Sequence, residues 1–300
     1  MTTAMKTVNS KKLSAIITAA VCLIIFTWVL GFNFKEIFLS DAMPENKNAD
    51  FVEVIDVGQG DSILISSNDT VALIDTGLST AFEAVSSTLD KYKIKKIDVL
   101  IITHLDNDHS GAVGKISELY TIDNLILPEI SIESEGLGSA ELAIARVTDS
   151  GGNIYNAKQG MNFKIGNFEL TVLASYTDMN EENNRSIVTM AKIGTKKFLF
   201  TGDIELKAEK ALLEEGLDLK CDVLKVAHHG SSTSSSDDFL YAANPEMAVI
   251  SVGHDNIYGQ PHNEVLAAFE RLGCEVFRTD IMGNIIFTVK NEMITVKTER

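Results

Sequence analysis

Four side chains able to grip a cation fall within six residues: His104, Asp106, Asp108 and His109, in the run T-H-L-D-N-D-H-S-G-A from Thr103 to Ala112. His104 and Asp106 are two apart and can point the same way from an extended or turning backbone, while Asp108 and His109 come a turn later and can face a second position. One loop can therefore serve two adjacent metal ions. A solvated loop with incidental histidines is the plain alternative. It is hard to sustain in a chain with only six histidines, two of which stand here beside two carboxylates.

The loop follows Ile97-Asp98-Val99-Leu100-Ile101-Ile102, an apolar run that reads as a buried strand. Four other stretches have the same form: Ala72 to Gly77, ending in Asp75; Phe198 to Asp203; Leu224 to Gly230, ending in His228 and His229; and Val249 to His254, leading to Gln260-Pro261-His262. A sheet fixes the backbone at a strand end while the loop stays free to present side chains. Taken singly each stretch is weak, since an aspartate after a strand, such as Asp75, is usually a turn former or helix cap.

The elements that must position these loops come in two blocks. In the first, strands are predicted at 51–56, 62–65, 71–74, 97–103 and 125–127. Helices are predicted at 81–92, where Phe82, Val85 and Leu89 recur three and four apart, at 113–119 and at 139–148. The second block repeats that grammar, with strands at 168–173, 186–193, 197–200, 222–226, 248–252, 275–277, 284–289 and 293–296. Its helices fall at 208–215, around Phe239 and at 264–271. Strand-rich blocks with helices between, given twice, imply two packed sheets with helices outside.

Composition narrows the class further. The net charge is −16, and beyond the first forty residues 22 basic stand against 41 acidic side chains, a balance of −19. Such a surface repels polyanions, so a nucleic-acid substrate must be drawn in locally by bound cations or a small basic groove. Three cysteines, Cys22, Cys221 and Cys274, show no C-x-x-C spacing, which excludes a disulfide framework and a thiolate metal site. Cys221 and Cys274 read as core thiols, with a pair between them left open.

Residues 13–34, LSAIITAAVCLIIFTWVLGFNF, contain no charge and are long enough for a bilayer-spanning helix. Lys6, Lys11 and Lys12 precede the run, and only Lys35, offset by Glu36, follows closely. The positive-inside rule then places 1–12 in the cytoplasm and the rest outside the cell, anchored by a single pass. Cleavage near Ser40-Asp41-Ala42 is the competing expectation. Residues 35–50 read as a linker, and 51–300 as the folded domain.

With these blocks in view, the sequence resembles the metallo-β-lactamase superfamily, whose signature is H-x-H-x-D-H after a strand, an earlier I-D-T-G and a later T-G-D. V-I-D-V-G-Q-G-D-S-I-L-I at Val54 to Ile65 is similar to the entry motif of ComEC-type competence proteins. So are N-N-R-S at Asn183 to Ser186, H-H-G-S at His228 to Ser231, A-V-I-S-V-G at Ala248 to Gly253 and R-T-D-x-x-G at Arg278 to Gly283. The resemblance implies an α/β fold, an αββα sandwich with a two-metal centre between the sheets. It further implies that His104 and Asp106 hold one ion, Asp108 and His109 the other, and Asp203 bridges both, with His228 or His229 close by and Asp75 in support. Two divalent ions, Mn²⁺ or Zn²⁺, about 3.5–4 Å apart would activate a water and clamp a phosphate.

Departures accompany the matches. Asp106 stands where the general signature has a second His, which hardens the ligand set toward Mn²⁺ or Mg²⁺. Asn183 or Asn184 falls where many members place a third His, and Gln260 where competence-type sequences read G-H-P, leaving His262 as a substitute. Ala112 replaces a common glycine. Ser231 to Ser236 fits either a phosphate cradle or a helix cap. Asp56, Gln59 and Asp61 read as structural, with Asp61 the weaker candidate for the rim of the metal pocket.

The expected function is hydrolysis of a phosphodiester, DNA outside the cell first, with Asp108 among the catalytic groups and His228, His229 or His262 stabilising charge or protonating the leaving oxygen. Partners in a competence apparatus are left unspecified. The alternatives are another phosphodiester or ester, from cell wall or lipid headgroup, and a binding module that has lost its chemistry.

Overall fold

The computed structural model describes residues 47–129 and 138–300. The expected anchor over 13–34 lies outside the described residues, as does most of the linker. Among those described, no helix is long and apolar enough to cross a membrane.

Two large sheets face each other. The first runs, edge to edge, Met293–Thr298, Ile285–Lys290, Phe51–Val54, Ile63–Ser67, Thr70–Ile74, Val99–Ile101, Asn124–Leu127 and Asn153–Asn156. The second runs Glu275–Arg278, Met247–Ile250, Val223–Lys225, Lys196–Phe200, Val188–Ile193, Phe168–Ala174 and Asn162–Ile165. Each sheet is antiparallel in one half and parallel in the other. Thr70–Ile74 pairs in parallel with Val99–Ile101, and Lys196–Phe200 with Val223–Lys225. Parallel neighbours need a long crossover, here a helix, and it brings the carboxyl ends of successive strands to the same edge of the sheet. That edge is where the polar strand ends of the sequence meet.

The inner faces form one apolar layer. Val52, Val54, Ile63 and Ile65 from the first sheet pack with Phe198, Phe200, Val223 and Val249 from the second, and Phe287 stacks edge-on against Phe198. Two outer layers are covered by helices. Phe82–Lys91, Val113–Leu119 and Ser139–Asp149 cover the first sheet, and Leu206–Glu214, Asp237–Ala243 and Asn263–Leu272 cover the second. The expected αββα sandwich is therefore present.

Three local readings change. The run 97–103 breaks at Asp98, whose carboxylate accepts the Val71 amide at 2.8 Å. Lys96–Ile97 pairs instead with Thr121–Ile122 in a small separate sheet. Asn153–Asn156 and Asn162–Ile165 are strands that the sequence pattern did not mark. Cys221 and Cys274 are both free and buried.

Candidate metal centre

The donors and the residues that orient them stand at strand ends. Asp75 follows Thr70–Ile74 in a left-handed conformation, φ 59°, fully buried. Its Oδ1 accepts the Thr103 amide at 2.8 Å, and its Oδ2 accepts the Thr103 hydroxyl at 2.7 Å and faces His109 Nδ1 at 2.8 Å. Asp75 thus sits behind the loop and orients it. His228 and His229 are also left-handed, at φ 50° and 55°. Two consecutive non-glycine residues there cost of order 1–3 kcal/mol each and need bracing. The brace comes from Gln260, whose amide donates to the His228 carbonyl at 3.1 Å while its oxygen accepts from Gln59 at 2.8 Å.

At the centre, ligand atoms of Asp108, His109, Asp203 and His229 all lie within 4.8 Å of one another. Asp203 Oδ2 is 3.2 Å from both His109 Nε2 and His229 Nε2, and Asp108 Oδ2 is 3.3 Å from His229 Nε2. His104 lies alongside, its ring centre 4.1 Å from that of His109 and its Nε2 3.7 Å from Asp106 Oδ2.

Whether these residues fit a metal ion is decided by their nitrogens. The Thr103 hydroxyl gives its proton to Asp75, so it can only accept from His104 Nδ1, at 3.1 Å. His109 Nδ1 is held by the Asp75 carboxylate, and His229 Nδ1 by the Ser251 carbonyl at 2.8 Å. In the neutral rings all three Nδ1 atoms are then donors, which leaves three bare Nε2 lone pairs. Those three Nε2 atoms, with Asp203 Oδ1, are buried and make no hydrogen bond of acceptable geometry. Buried polar atoms without partners are rare, and imidazoles presented this way are ligands in form.

The charges agree. Burial works against a charge on His109, yet Asp203 and Asp75 outweigh it and hold its pKa well above the ordinary value. Burial is likewise overcome at His229, pushed up to about 9 by Asp203 and Asp108. Asp203 is held well below the usual carboxylate range despite its burial, because the two imidazoles face it. Asp108 falls to about 2, its burial outweighed by His229 and His109. Burial and the neighbouring His109 depress His104 to about 3, and burial beside Asp108 raises Asp106. The carboxylates demand positive charge at this spot, as protons or as a cation.

Other candidates sit further out. His228 is about a quarter exposed, its Nδ1 3.1 Å from the Thr233 hydroxyl. His262 accepts the Ser232 amide through Nδ1 at 2.9 Å and precedes the helix Asn263–Leu272. Neither belongs to the four-donor group. Gln260 serves the backbone of the histidine turn. Asn184 caps the helix Leu206–Glu214, accepting the amides of Glu205 and Ala208 at 3.0 and 3.2 Å. The Ser231 to Ser236 loop is a helix cap: Ser236 Oγ accepts the Phe239 amide, and the amides of Ser235 and Ser236 go to Glu209.

Three positioning groups were not singled out in the sequence. Ser186 Oγ lies 3.2 Å from His104 Nδ1 and accepts the Asp203 amide at 3.1 Å, which ties two donors together. Ser251 and Lys225 are the others. Ser186 and Ser251 stand in the N-N-R-S and A-V-I-S-V-G blocks, and Lys225 leaves a different signal, a lone cation inside the apolar run V-L-K-V.

The model of the metallo-beta-lactamase superfamily matches residues 55–254. The chain is 32% identical over 263 residues to ComE operon protein 3 of Bacillus subtilis (strain 168), covering 81% of this chain and 34% of that protein. It is 32% identical over 252 residues to competence protein ComA of Neisseria gonorrhoeae, covering 82% of this chain and 33% of that one. The chain therefore spans about a third of the length of these ComEC-type relatives. Among solved structures, the metallo-beta-lactamase fold protein YhfI from Bacillus subtilis aligns with a TM-score of 0.52 at 14% identity, over 79% of this chain and 98% of that chain. At that identity the likeness concerns the fold alone.

Proposed function

The chain belongs to the metallo-β-lactamase superfamily, and from that premise we propose that it is a metal-dependent phosphodiesterase acting on DNA outside the cell. One observation carries the reading: four donors from three loops converge within 4.8 Å, and their histidine nitrogens are left bare. Similarity to competence proteins supports DNA as the substrate. The uncharged run 13–34 supports an anchored protein with its domain outside the cell.

Asp108, His109, Asp203 and His229 would hold one cation, and His104 with Asp106 the second. Bound divalent ions supply a water of lowered pKa and offset charge developing on a phosphate. The chain does the rest. Asp75, Ser186 and Ser251 keep the donors aligned, and burial of His104, His109 and His229 excludes bulk water from their side of the centre. His228, partly exposed at the rim with its ring centre 6.2 Å from that of His229, is the group placed to give a proton to the leaving oxygen.

A second reading, cleavage of a lipid-headgroup or cell-wall phosphodiester, is favoured by the balance of −19 beyond residue 40, which opposes approach of a polyanion. One experiment separates the two. The full chain in detergent, with Mn²⁺ or Zn²⁺, is given bis-(p-nitrophenyl) phosphate, single-stranded DNA and a choline phosphodiester. Turnover of the first two, lost with a chelator and in Asp108→Ala, is expected. Cleavage of the choline ester with DNA untouched transfers the assignment, and metal binding without any turnover leaves a binding module.

A further inference from the structure

The strand Val223–Lys225 ends in a lysine with no exposed surface. The Lys225 ammonium donates to Asp61 Oδ2 at 2.7 Å and to the Val226 carbonyl at 2.8 Å, and Asp61 is itself buried. Such a pair is a poor source of stability, because the cost of desolvating two charges offsets their attraction, and apolar residues of similar volume often serve as well or better. Its location points to another use.

The second oxygen of Asp61 has no hydrogen-bond partner and lies 3.5 Å from His229 Nδ1, the nitrogen that also faces the Ser251 carbonyl. The Asp61 amide donates to the Asp108 carbonyl at 3.1 Å. Gly60 accepts the Ser251 hydroxyl at 2.7 Å, which fixes the residue whose carbonyl holds His229. A Cβ on Gly60 would stand 2.1 Å from the Asp108 carbonyl oxygen, so only glycine lets the two segments close this far. Gly60 and Asp61 therefore press on the donor cluster from behind at two of its four members, and Lys225 anchors them.

We infer that Lys225 and Asp61 form a positioning pair for the metal centre, an inference that rests on reading the cluster as one. Lys225 holds the Asp61 carboxylate in place. Asp61 in turn places its negative charge 3.5 Å from His229 Nδ1, beside the Ser251 carbonyl that this nitrogen faces, so that Nδ1 stays the donor and Nε2 stays aimed at Asp108 and Asp203. Neither residue touches substrate; both act through His229 and Asp108. With Lys225 gone, no cation fixes the carboxylate among its other polar neighbours, the His229 and His109 imidazoles and the Asp75 carboxylate, and the His229 ring is drawn away from Ser251.

The test uses the full chain in detergent, stripped of metal and titrated with Co²⁺, followed by visible absorption, and with Mn²⁺ by calorimetry. Three proteins are compared: the unaltered chain, Lys225→Met, and the double variant Asp61→Asn/Lys225→Met, which leaves no unpaired charge buried. Both variants are expected to bind their tighter Co²⁺ equivalent about 10- to 100-fold more weakly, with a changed absorption spectrum. The metal-free Tm of the double variant should stay within a few degrees of the unaltered chain. A folded double variant with unchanged Co²⁺ affinity and spectrum overturns the positioning role alone. Failure of both variants to fold also overturns it, since the pair is then structural. An unaltered chain that binds neither metal removes the metal-centre reading itself.

Discussion

On one side of the candidate centre, Asp108, His109, Asp203 and His229 arrive from three loops, and all but Asp108 are buried. On the other, His104 and Asp106 come from a single loop, 3.7 Å apart, and the Asp106 side chain is 53% exposed. The crowded side is assembled from segments far apart in sequence. His109 and His229 are each held there through Nδ1, Asp203 by its amide to Ser186, and Asp108 by its carbonyl to Asp61. The open side has one locked imidazole and one solvated carboxylate. A cation is therefore expected to bind first and tightest where the folded chain has already arranged the donors, because little conformational freedom remains to be lost there.

The largest effect should come from Asp203→Ala, which removes the carboxylate facing both His109 and His229. Tight metal binding should disappear and phosphodiester turnover should fall by at least about 10³-fold. Metal analysis showing the full complement in this variant would break the comparison outright. Asp106→Ala should act on one equivalent only. The weaker ion is expected to lose roughly 10- to 100-fold in affinity while the tighter one is unmoved, so a titration that loses both equivalents together would show the two sides to be one site. Asp75→Asn comes next. Asp75 stands outside the four-donor group, but the change withdraws one acceptor from Thr103 and His109, and the tighter equivalent should weaken by about tenfold with a lower Tm.

The smallest effect on metal belongs to Glu209, a useful control because it is a buried carboxylate that faces the amides of Ser235 and Ser236 and no imidazole. Burial raises its pKa above the ordinary 4.5, the amides only partly opposing this. The folded chain then holds a proton that the unfolded chain has released. Stability from this group is present below about pH 4.5 and falls as the pH rises through the folded-state pKa. Glu209→Gln should lower Tm at all pH values, remove that part of the decline and leave metal affinity unchanged. Thermal melts from pH 4 to 8 against Mn²⁺ titrations check both halves.

Much of the architecture could be read in the chain because its signals are local. The helix Phe82–Lys91 lies where the spacing of Phe82, Val85 and Leu89 places it, and the strand ends before Asp75, His104, Asp203 and His228 stop where apolar runs give way to polar residues. Asn153–Asn156 and Asn162–Ile165 escaped notice for a physical reason. They are edge strands, half exposed, and carry too few apolar residues to show a period. Asp98 ended a strand through a bond to Val71, a partner 27 positions away that no window on the sequence contains.

By itself the sequence settled which residue types stand at strand ends, that His104, Asp106, Asp108 and His109 share a loop, and that the chain follows the order of the metallo-β-lactamase blocks. Adjacency along the backbone and hydrophobic period are one-dimensional properties, and they survive without coordinates. Only the tertiary structure decided that His229 joins Asp108, His109 and Asp203 while His228, its neighbour in sequence, turns outward. Only there does Asn184 become a helix cap, Gln260 a brace and Lys225 the partner of Asp61. Those roles depend on which atoms lie within hydrogen-bonding reach across segments 20 to 200 residues apart, a property of the packed sandwich that the order of residues does not display.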